Sequence, residues 1–128
     1  MFSSLIQVAA VQGESMMPAL RDGQYVVAVR RFGRLRRGDV ILLRRGQSIL
    51  VKRIAYLPSD RIAPLDRPLF QDVQDFFEVG DQKTDLIVPE GKIVVLGDNR
   101  PKSDDSRHFG PIRTDDVVGK VIGATPFP

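Results

Sequence analysis

The chain has 128 residues, of which 42% are hydrophobic and 27% charged, and its formal net charge is +3. This composition is typical of one soluble globular domain with a real core. No apolar run approaches the roughly 18 residues of a membrane-spanning helix, and the N-terminus lacks the pattern of a targeting segment. The absence of cysteine excludes disulfides and thiol catalysis, and the single histidine, His108, argues against a histidine metal site or a Ser-His-Asp triad. We therefore expect one domain over residues 1–128 with no metal and no cofactor.

Six short segments rich in β-branched residues and bounded by Gly and Pro turns predict strands. They cover residues 5–11, 24–30, 39–44, 48–56, 92–96 and 117–124. One stretch differs, because five apolar residues of the region 68–77 recur at helical spacing, although two strand fragments would also fit them. These five are Leu69, Phe70, Val73, Phe76 and Phe77. The sequence predicts an all-β sandwich or barrel, with a short helix as one interpretation of residues 68–77.

Seven arginines crowd into residues 30–45. Such a cluster can face the phosphates of nucleic acid or of anionic lipid headgroups, and it can equally be a solvated loop between two strands. Few aromatic residues accompany the arginines, so the base stacking of a nucleic-acid site has little support. We expect no nucleic-acid partner.

The stretch GESMMPAL, residues 13–20, places Ser15 between a glutamate and two methionines. A surface turn favours Gly, Ser and Pro, but methionine is apolar and poorly suited to an exposed tip. Two interpretations remain open. Either the methionines are buried and the serine belongs to an ordinary turn, or the serine lies beside an apolar groove.

The stretch LVKRIA, residues 50–55, belongs to a predicted strand in which Leu50, Lys52 and Ile54 share one face. A lysine among aliphatic residues either extends its amine to water or is held in a dry environment. In a dry environment its pKa falls, and a neutral amine is a general base. On this pattern alone, an amine that reaches water is the favoured interpretation.

The stretch GDNRPKSDDSRHFG, residues 97–110, is a long polar loop directly after the apolar run 93–96. Its aspartates and arginines can pair with one another. The loop is either a salt-bridged connection or a rigid scaffold that holds a hydrogen-bonding group against an active site.

Taken together and in chain order, four stretches resemble the type I signal peptidases, the serine proteases that remove signal peptides from exported proteins. They are GESMMPAL, RRGDVILL, LVKRIAYLPSD and VVLGDNRPKSDDSRHFG, and the resemblance runs from about residue 7 to the C-terminus. It implies a signal-peptidase-type β-rich catalytic domain of short antiparallel strands and no cofactor. It also implies that Ser15 is the nucleophile and that Lys52 is a buried, neutral general base.

The same resemblance assigns supporting roles. Ser103 matches the serine that orients the lysine amine, Asp105 and Arg107 match the pair that braces the loop, and Arg53 follows the base. The oxyanion donors implied are the backbone N–H groups of Ser15 and Gly13, the latter standing where many members carry a hydroxyl residue. The substrate implied is an extended peptide with small residues, typically Ala, at the first and third positions before the cut. The expected walls of its pockets are Val11, Gln12, Met16, Leu20, Leu50 and Val51.

Two departures from the family pattern bear on the setting of the enzyme. Residues 61–90 leave room only for a short cap insertion, where many members carry a second β-domain. The membrane anchor of the family is missing, so either it was removed or the chain is a short form. The partners expected are the signal peptides of exported preproteins and a membrane surface, with the enzyme at the extracytoplasmic face of a membrane.

Three other functions are alternatives to signal peptide cleavage. Autoproteolytic repressors also use a Ser-Lys dyad, but they cut Ala-Gly or Cys-Gly bonds, and neither dipeptide occurs in this chain. A basic β-barrel that binds nucleic acid would leave Ser15, Lys52 and Ser103 without a role. A catalytically weak relative that retains only peptide binding is the third alternative.

Overall fold

The computed structural model describes residues 5–126 and is built around one antiparallel sheet of seven strands. In space the strands follow the order β1-β2-β7-β3-β4-β5-β6, so the last strand lies between the second and the third. One short helix, α1, spans Ser106–Phe109. The strands are β1 Ile6–Ala10, β2 Tyr25–Val29, β3 Val40–Arg45, β4 Ser48–Tyr56, β5 Lys92–Leu96, β6 Ile112–Arg113 and β7 Val117–Ala124.

The predicted strands agree closely with these bounds. Three of them match to the residue, and the other three differ by one residue at each end. The all-β prediction is confirmed, but the strands form a single open sheet with β1 and β6 at its edges rather than a sandwich or a closed barrel. The sequence did not predict β6, because a strand of two residues carries no alternation pattern.

The region 68–77 forms neither a regular helix nor strand fragments. A 3-10 helical segment spans Pro64–Phe76 and leaves helical geometry at Phe70 and Val73. Pro68 lies inside it and lacks the N–H that a continuous helix would use. Phe70 and Val73 are buried, whereas Leu69 and Phe76 are largely exposed, so the predicted apolar stripe is only partly correct.

Apolar residues cover both faces of the central sheet. Along β3, Ile41 and Leu43 point to one face and Leu42 to the other, as strand alternation requires. Each such side chain, fully buried, stabilises the fold by roughly 1.5–3 kcal/mol. Cluster A comprises Ile41, Leu43, Ile54, Ile93, Val95, Ile112 and Val117. Cluster B comprises Val11, Met16, Leu20, Val26, Ala28 and Leu42.

A third apolar cluster joins the cap, residues 61–90, to β4 and β5. It comprises Tyr56, Ile62, Phe70, Val73, Phe77, Val88, Val94 and Leu96. The hydroxyl of Tyr56 donates a hydrogen bond to the carboxylate of Asp66 and accepts one from the N–H of Ala63 at 3.2 Å. The cap is therefore attached to the sheet by apolar packing and by a partly buried polar contact. Within residues 5–126, no helix is long and apolar enough to cross a membrane.

Candidate active site

The turn that carries Ser15 lies between β1 and β2 and is anchored by its neighbour in sequence. The side chain of Met16 is only 1% exposed and belongs to cluster B, while Ser15 itself is half-buried. The N–H of Leu20 donates to the carbonyl of Met16 at 2.9 Å, which closes the turn. The first methionine is thus a core residue that fixes the serine, and the serine also borders a groove.

Lys52 is buried. Only 4% of the residue is exposed, so the interpretation of an amine that reaches water is wrong. Its Nζ donates to Oγ of Ser103 at 3.1 Å. Burial lowers the pKa of Lys52 below its ordinary value, and the carboxylates of Asp105 and Asp104 oppose that shift. The environment therefore favours the neutral amine more than water does.

The hydrogen bonds around Ser103 have a defined direction. Oγ of Ser103 donates its single proton to Oδ2 of Asp105 at 2.8 Å, because an ionised carboxylate can only accept. That hydroxyl oxygen then offers a lone pair to an N–H of Lys52. With that N–H engaged, the lone pair of a neutral Lys52 amine is free to point elsewhere.

Asp105 is completely buried and its carboxylate is saturated with donors. It pairs with Nε of Arg107 at 2.8 Å and accepts from the N–H of Gly97 at 3.0 Å. Burial alone would raise the pKa of Asp105, but the hydrogen bonds from Arg107, Gly97 and Ser103 together hold it below its ordinary value. Arg107 also donates to the carbonyls of Arg100 and Ser103, at 2.9 and 3.1 Å, which braces the loop.

Arg53 braces the same loop from the opposite face of β4. Its guanidinium pairs with Asp98 through two hydrogen bonds, of 2.9 and 2.8 Å, and donates a third to the carbonyl of Gly38 at 2.8 Å. The hydrogen bond with Asp98 raises the pKa of Arg53. A two-point contact of this kind fixes orientation as well as distance.

Two further residues of this loop, Gly97 and Asn99, contact the turn that carries Ser15, and sequence reasoning missed both. The backbone N–H of Asn99 donates to the carbonyl of Ser15 at 2.8 Å, and Nδ2 of Asn99 donates to the carbonyl of Glu14 at 3.0 Å. A Cβ on Gly97 would lie 2.0 Å from Oγ of Ser103 and 2.8 Å from the carbonyl oxygen of Ser15. Gly and Asn are common turn residues, so the sequence pattern alone does not distinguish these positions, and only their proximity to Ser15 in space reveals the closer fit.

A groove of about 480 Å³ runs between β1 and the first half of β4, with Ser15 and Lys52 on its wall. β1 is an edge strand, and β5 pairs with β4 only from Arg53 onward, so both sides of the groove present unpaired strand edges. Five of the six predicted pocket residues line it, namely Val11, Gln12, Met16, Leu50 and Val51. Leu20 does not: it is 7% exposed and packs in cluster B, so we place it in the core.

The two backbone donors expected for an oxyanion differ in their present contacts. The N–H of Gly13 donates to Oδ1 of Asp22 at 2.8 Å, so it could serve an oxyanion only after that bond is broken. Among residues 5–126 the N–H of Ser15 has no hydrogen-bond acceptor. In the same part of the chain, no group of three or more His, Cys, Asp or Glu side chains could hold a metal ion.

Comparison with known proteins identifies the family. The model of the family described as signal peptidase, peptidase S26, matches residues 1–72 and 65–124. A signal peptidase I of Bacillus caldolyticus is 37% identical over 87% of this chain and 74% of its own length. An Arabidopsis thaliana relative named mitochondrial ATP-independent inner membrane protease subunit 1a is 35% identical over 92% of this chain and 69% of its own length.

A solved structure of a signal peptidase I from Enterococcus faecalis V583 is also similar. It is 26% identical, the match spans 71% of this chain and 99% of that one, and the TM-score is 0.49. The family model covers nearly the whole chain, and the relatives exceed 30% identity over most of their length. The chain therefore belongs to the type I signal peptidases of the peptidase S26 family, a family of Ser-Lys dyad serine proteases.

Proposed function

We propose that this signal peptidase uses Ser15 as nucleophile and Lys52 as general base to cut exported preproteins after an Ala-x-Ala type site. The observation that carries the proposal is the buried Lys52 amine, which Ser103 holds at 3.1 Å on the wall of the groove that Ser15 also borders. A lysine in such a position serves as a base only when neutral, and burial favours that form. No histidine is required.

The reaction proceeds by acyl transfer in two steps. The Lys52 amine takes the proton of the Ser15 hydroxyl while Oγ bonds to the scissile carbonyl carbon. The resulting ammonium returns that proton to the departing amine as the C–N bond breaks, which leaves an acyl ester on Ser15 and a neutral lysine. Lys52 then takes a proton from water, whose oxygen attacks the ester, and the proton returns to Oγ of Ser15. The N–H of Ser15, which has no acceptor within the described part of the chain, is the first candidate donor to the oxyanion.

The groove supports the proposed substrate class. An extended peptide that enters between β1 and β4 can pair with the unpaired edges of both strands, which gives affinity without sequence preference. Apolar Val11, Met16 and Leu50 then lie against its side chains. Met16 is buried behind the groove, so the wall there is shallow and small side chains fit best.

We propose that the enzyme acts at the extracytoplasmic face of a membrane, with the exposed face of β1 against the lipid. Ile6 and Val8 share one face of β1, and Tyr25 lies opposite Ala10 on that same face. All three side chains are more than half exposed. Anionic headgroups would also attract the arginines of residues 30–45.

Vesicle sedimentation tests the membrane contact. We expect Val8→Ser to weaken binding to neutral and anionic vesicles alike, and Arg34→Glu to weaken only the salt-sensitive binding to anionic vesicles. Binding of the wild type that depends on neither lipid charge nor salt would remove the arginines from the proposal. Salt-sensitive binding to single-stranded DNA would instead favour the nucleic-acid alternative.

Peptide cleavage tests the chemistry. A peptide that carries an Ala-x-Ala site is incubated with the wild type, Ser15→Ala and Lys52→Met, and the products are identified by mass spectrometry across pH. The wild type should cut after the second Ala, with kcat/KM rising as a group with a pKa below the ordinary lysine value of about 10.4 loses its proton. Both variants should be inactive while remaining folded by circular dichroism.

The same assay separates the remaining alternatives. Cleavage of the chain itself with no cleavage of the peptide would favour the autoproteolytic type. Binding of the peptide by the wild type with no turnover, with or without lipid, would favour the weak peptide-binding relative, for which the engaged N–H of Gly13 would be a structural reason.

A further inference from the structure

A second hollow, of about 380 Å³, adjoins the groove at Ser15 and Lys52, which line both. The two hollows share five residues: Gln12, Ser15, Ser48, Leu50 and Lys52. The second one is not bordered by β1, and its remaining wall is charged and polar rather than apolar. The residues found only there are Gly13, Glu14, Arg45, Lys102 and Asp104.

Arg45 is held in place on the wall of this second hollow. Its guanidinium carbon lies 3.8 Å from the centre of the Phe109 ring, and Phe109 packs against cluster A. Such stacking restrains a side chain that would otherwise move freely. Arg45 also lies directly across the β3–β4 hairpin from Ser48, which lines both hollows. The cation is therefore restrained near the site, although the residue is exposed.

Arg45 and Lys102 have no carboxylate partner among residues 5–126, in contrast to the arginines that brace the catalytic loop. Of the two acids in the same hollow, Asp104 contacts Nδ1 of His108 at 3.2 Å, and Glu14 belongs to the nucleophile turn. A planar guanidinium with unused N–H groups matches a carboxylate. The two local acids would disfavour further negative charge, so the hollow suits one acidic side chain rather than several.

This inference rests on the proposed function, in which the part of the substrate before the cut occupies the groove. The chain then passes over Ser15, and the part after the cut enters the second hollow. We infer that this hollow is the subsite for the first residues of the mature protein and that Arg45 selects an acidic side chain there. Arg45 is thus a specificity-determining residue that contacts the leaving peptide.

The test uses peptides that share one Ala-x-Ala sequence and differ only after the cut. Glu, Gln or Lys is placed singly at the first, second or third position, and the peptides compete in one reaction followed by mass spectrometry. Because the contact is partly exposed, we expect the wild type to favour Glu over Gln by about two- to fivefold at the position that reaches Arg45. Arg45→Glu should reverse the order of Glu and Lys at that position.

Arg44→Glu is the matched control. It introduces the same change of charge one residue away, on the opposite face of β3, and Arg44 lines neither hollow. It should leave the Glu to Lys ratio within the scatter of the wild type. The selectivity of the wild type should also decline with added salt, as an ionic contact requires.

The outcomes separate this inference from the proposed function. Normal cleavage of the neutral peptides, with a Glu to Lys ratio that Arg45→Glu does not change at any position, overturns the inference alone. If no peptide is cut, the proposed function fails, and fluorescence titration of Ser15→Ala with the same peptides decides the inference. Tighter binding of the Glu peptide that depends on Arg45 supports it, and equal binding or none overturns it.

Discussion

Two aspartates are buried in this protein with very different consequences. Asp105 lies in the proposed catalytic loop, residues 97–110, and is 0% exposed, and Asp85 lies in the cap and is 1% exposed. Each is held by arginine and by a backbone N–H, the usual requirement for an ionised carboxylate removed from water. Asp105 also accepts the Ser103 hydroxyl that faces Lys52, whereas the ion pairs of Asp85 are with two cap arginines, Arg61 and Arg67.

The two aspartates are equally buried, and they differ in the residues to which their hydrogen bonds connect them. The chain Arg107–Asp105–Ser103–Lys52 carries charge and orientation to the amine, and each link is a hydrogen bond of 3.1 Å or less. The contacts of Asp85 are longer, 3.3 Å to Arg67 and 3.7 Å to Arg61, and end inside the cap. The role proposed for Asp105 therefore depends on the contact of its donor Ser103 with Lys52, and not on burial as such.

The largest effect should come from replacing the two aspartates. Asp105→Asn leaves the partly buried Arg107 without a counter-charge and should lower the free energy of unfolding by about 3–5 kcal/mol. Asp85→Asn should lower it by about 1–3 kcal/mol, because Arg61, with 55% of its side chain exposed, can be rehydrated. Urea denaturation measures both.

The two aspartates should also differ in how their replacement shifts the pH profiles of activity and stability. The Asp105 charge raises the pKa of Lys52, so the activity that survives in Asp105→Asn should rise at lower pH than in the wild type. The depressed pKa of Asp105 stabilises the fold above the unfolded value of about 3.9 and stops doing so as pH falls through the folded value. That acid-side loss should be absent in Asp105→Asn. A similar shift of the activity profile in Asp85→Asn would contradict the distinction.

Two glycines allow the comparison to be repeated by steric means. A Cβ on Gly97 would lie 2.5 Å from Cβ of Ser103, and one on Gly80 would lie 2.9 Å from Cβ of Asp85. Gly97→Ala should displace Ser103 and the Ser15 turn and lower kcat/KM by about 10²-fold. Gly80→Ala should cost about 1–3 kcal/mol of stability and leave kcat/KM within about twofold. Wild-type kinetics in Gly97→Ala would show that the contact is not needed.

The sequence predicted the strands well because turn residues and β-branched runs are local signals. It placed Ser15, Lys52 and Ser103 in the site through motif resemblance alone, since strand alternation left Lys52 undecided between water and the core. The roles of Gly97 and Asn99 were out of reach, because each depends on contacts with a turn more than 80 residues away in the chain. The 3-10 geometry of Pro64–Phe76 was also missed, since apolar spacing does not report where a proline interrupts hydrogen bonding.

Two buried serines give a smaller contrast within the catalytic loop. Ser103→Ala removes the acceptor for the Lys52 amine, so we expect kcat/KM to fall by about tenfold or more through misorientation of the base. Ser106→Ala removes an acceptor for the N–H of Val95, at 2.9 Å, and should cost about 1 kcal/mol of stability with little kinetic effect. Equal kinetic losses in the two variants would mean that the loop acts only as a support.

The smallest expected effects concern two side chains that each join one part of the molecule to its neighbour. Asn99 joins the loop 97–110 to the turn that carries Ser15, and Tyr56 joins β4 to the cap. Asn99→Ala removes the hydrogen bond from Nδ2 to the carbonyl of Glu14, but the backbone N–H still holds the carbonyl of Ser15. We therefore expect a two- to fivefold fall in kcat with KM unchanged, and a stability loss of about 0.5–1.5 kcal/mol. Steady-state kinetics on the Ala-x-Ala peptide measures the change in kcat and KM.

The corresponding contact of the cap is made by the hydroxyl of Tyr56, which hydrogen-bonds to Asp66 and to the N–H of Ala63. Tyr56→Phe keeps the packed ring and removes only these contacts, so it should cost about 1 kcal/mol of stability and leave kcat unchanged. A fall in kcat in Tyr56→Phe as large as that in Asn99→Ala would mean that the cap also orients the catalytic residues. Asp85 would then belong to the same functional network as Asp105, because a displacement of the cap would change the orientation of Lys52 through β4.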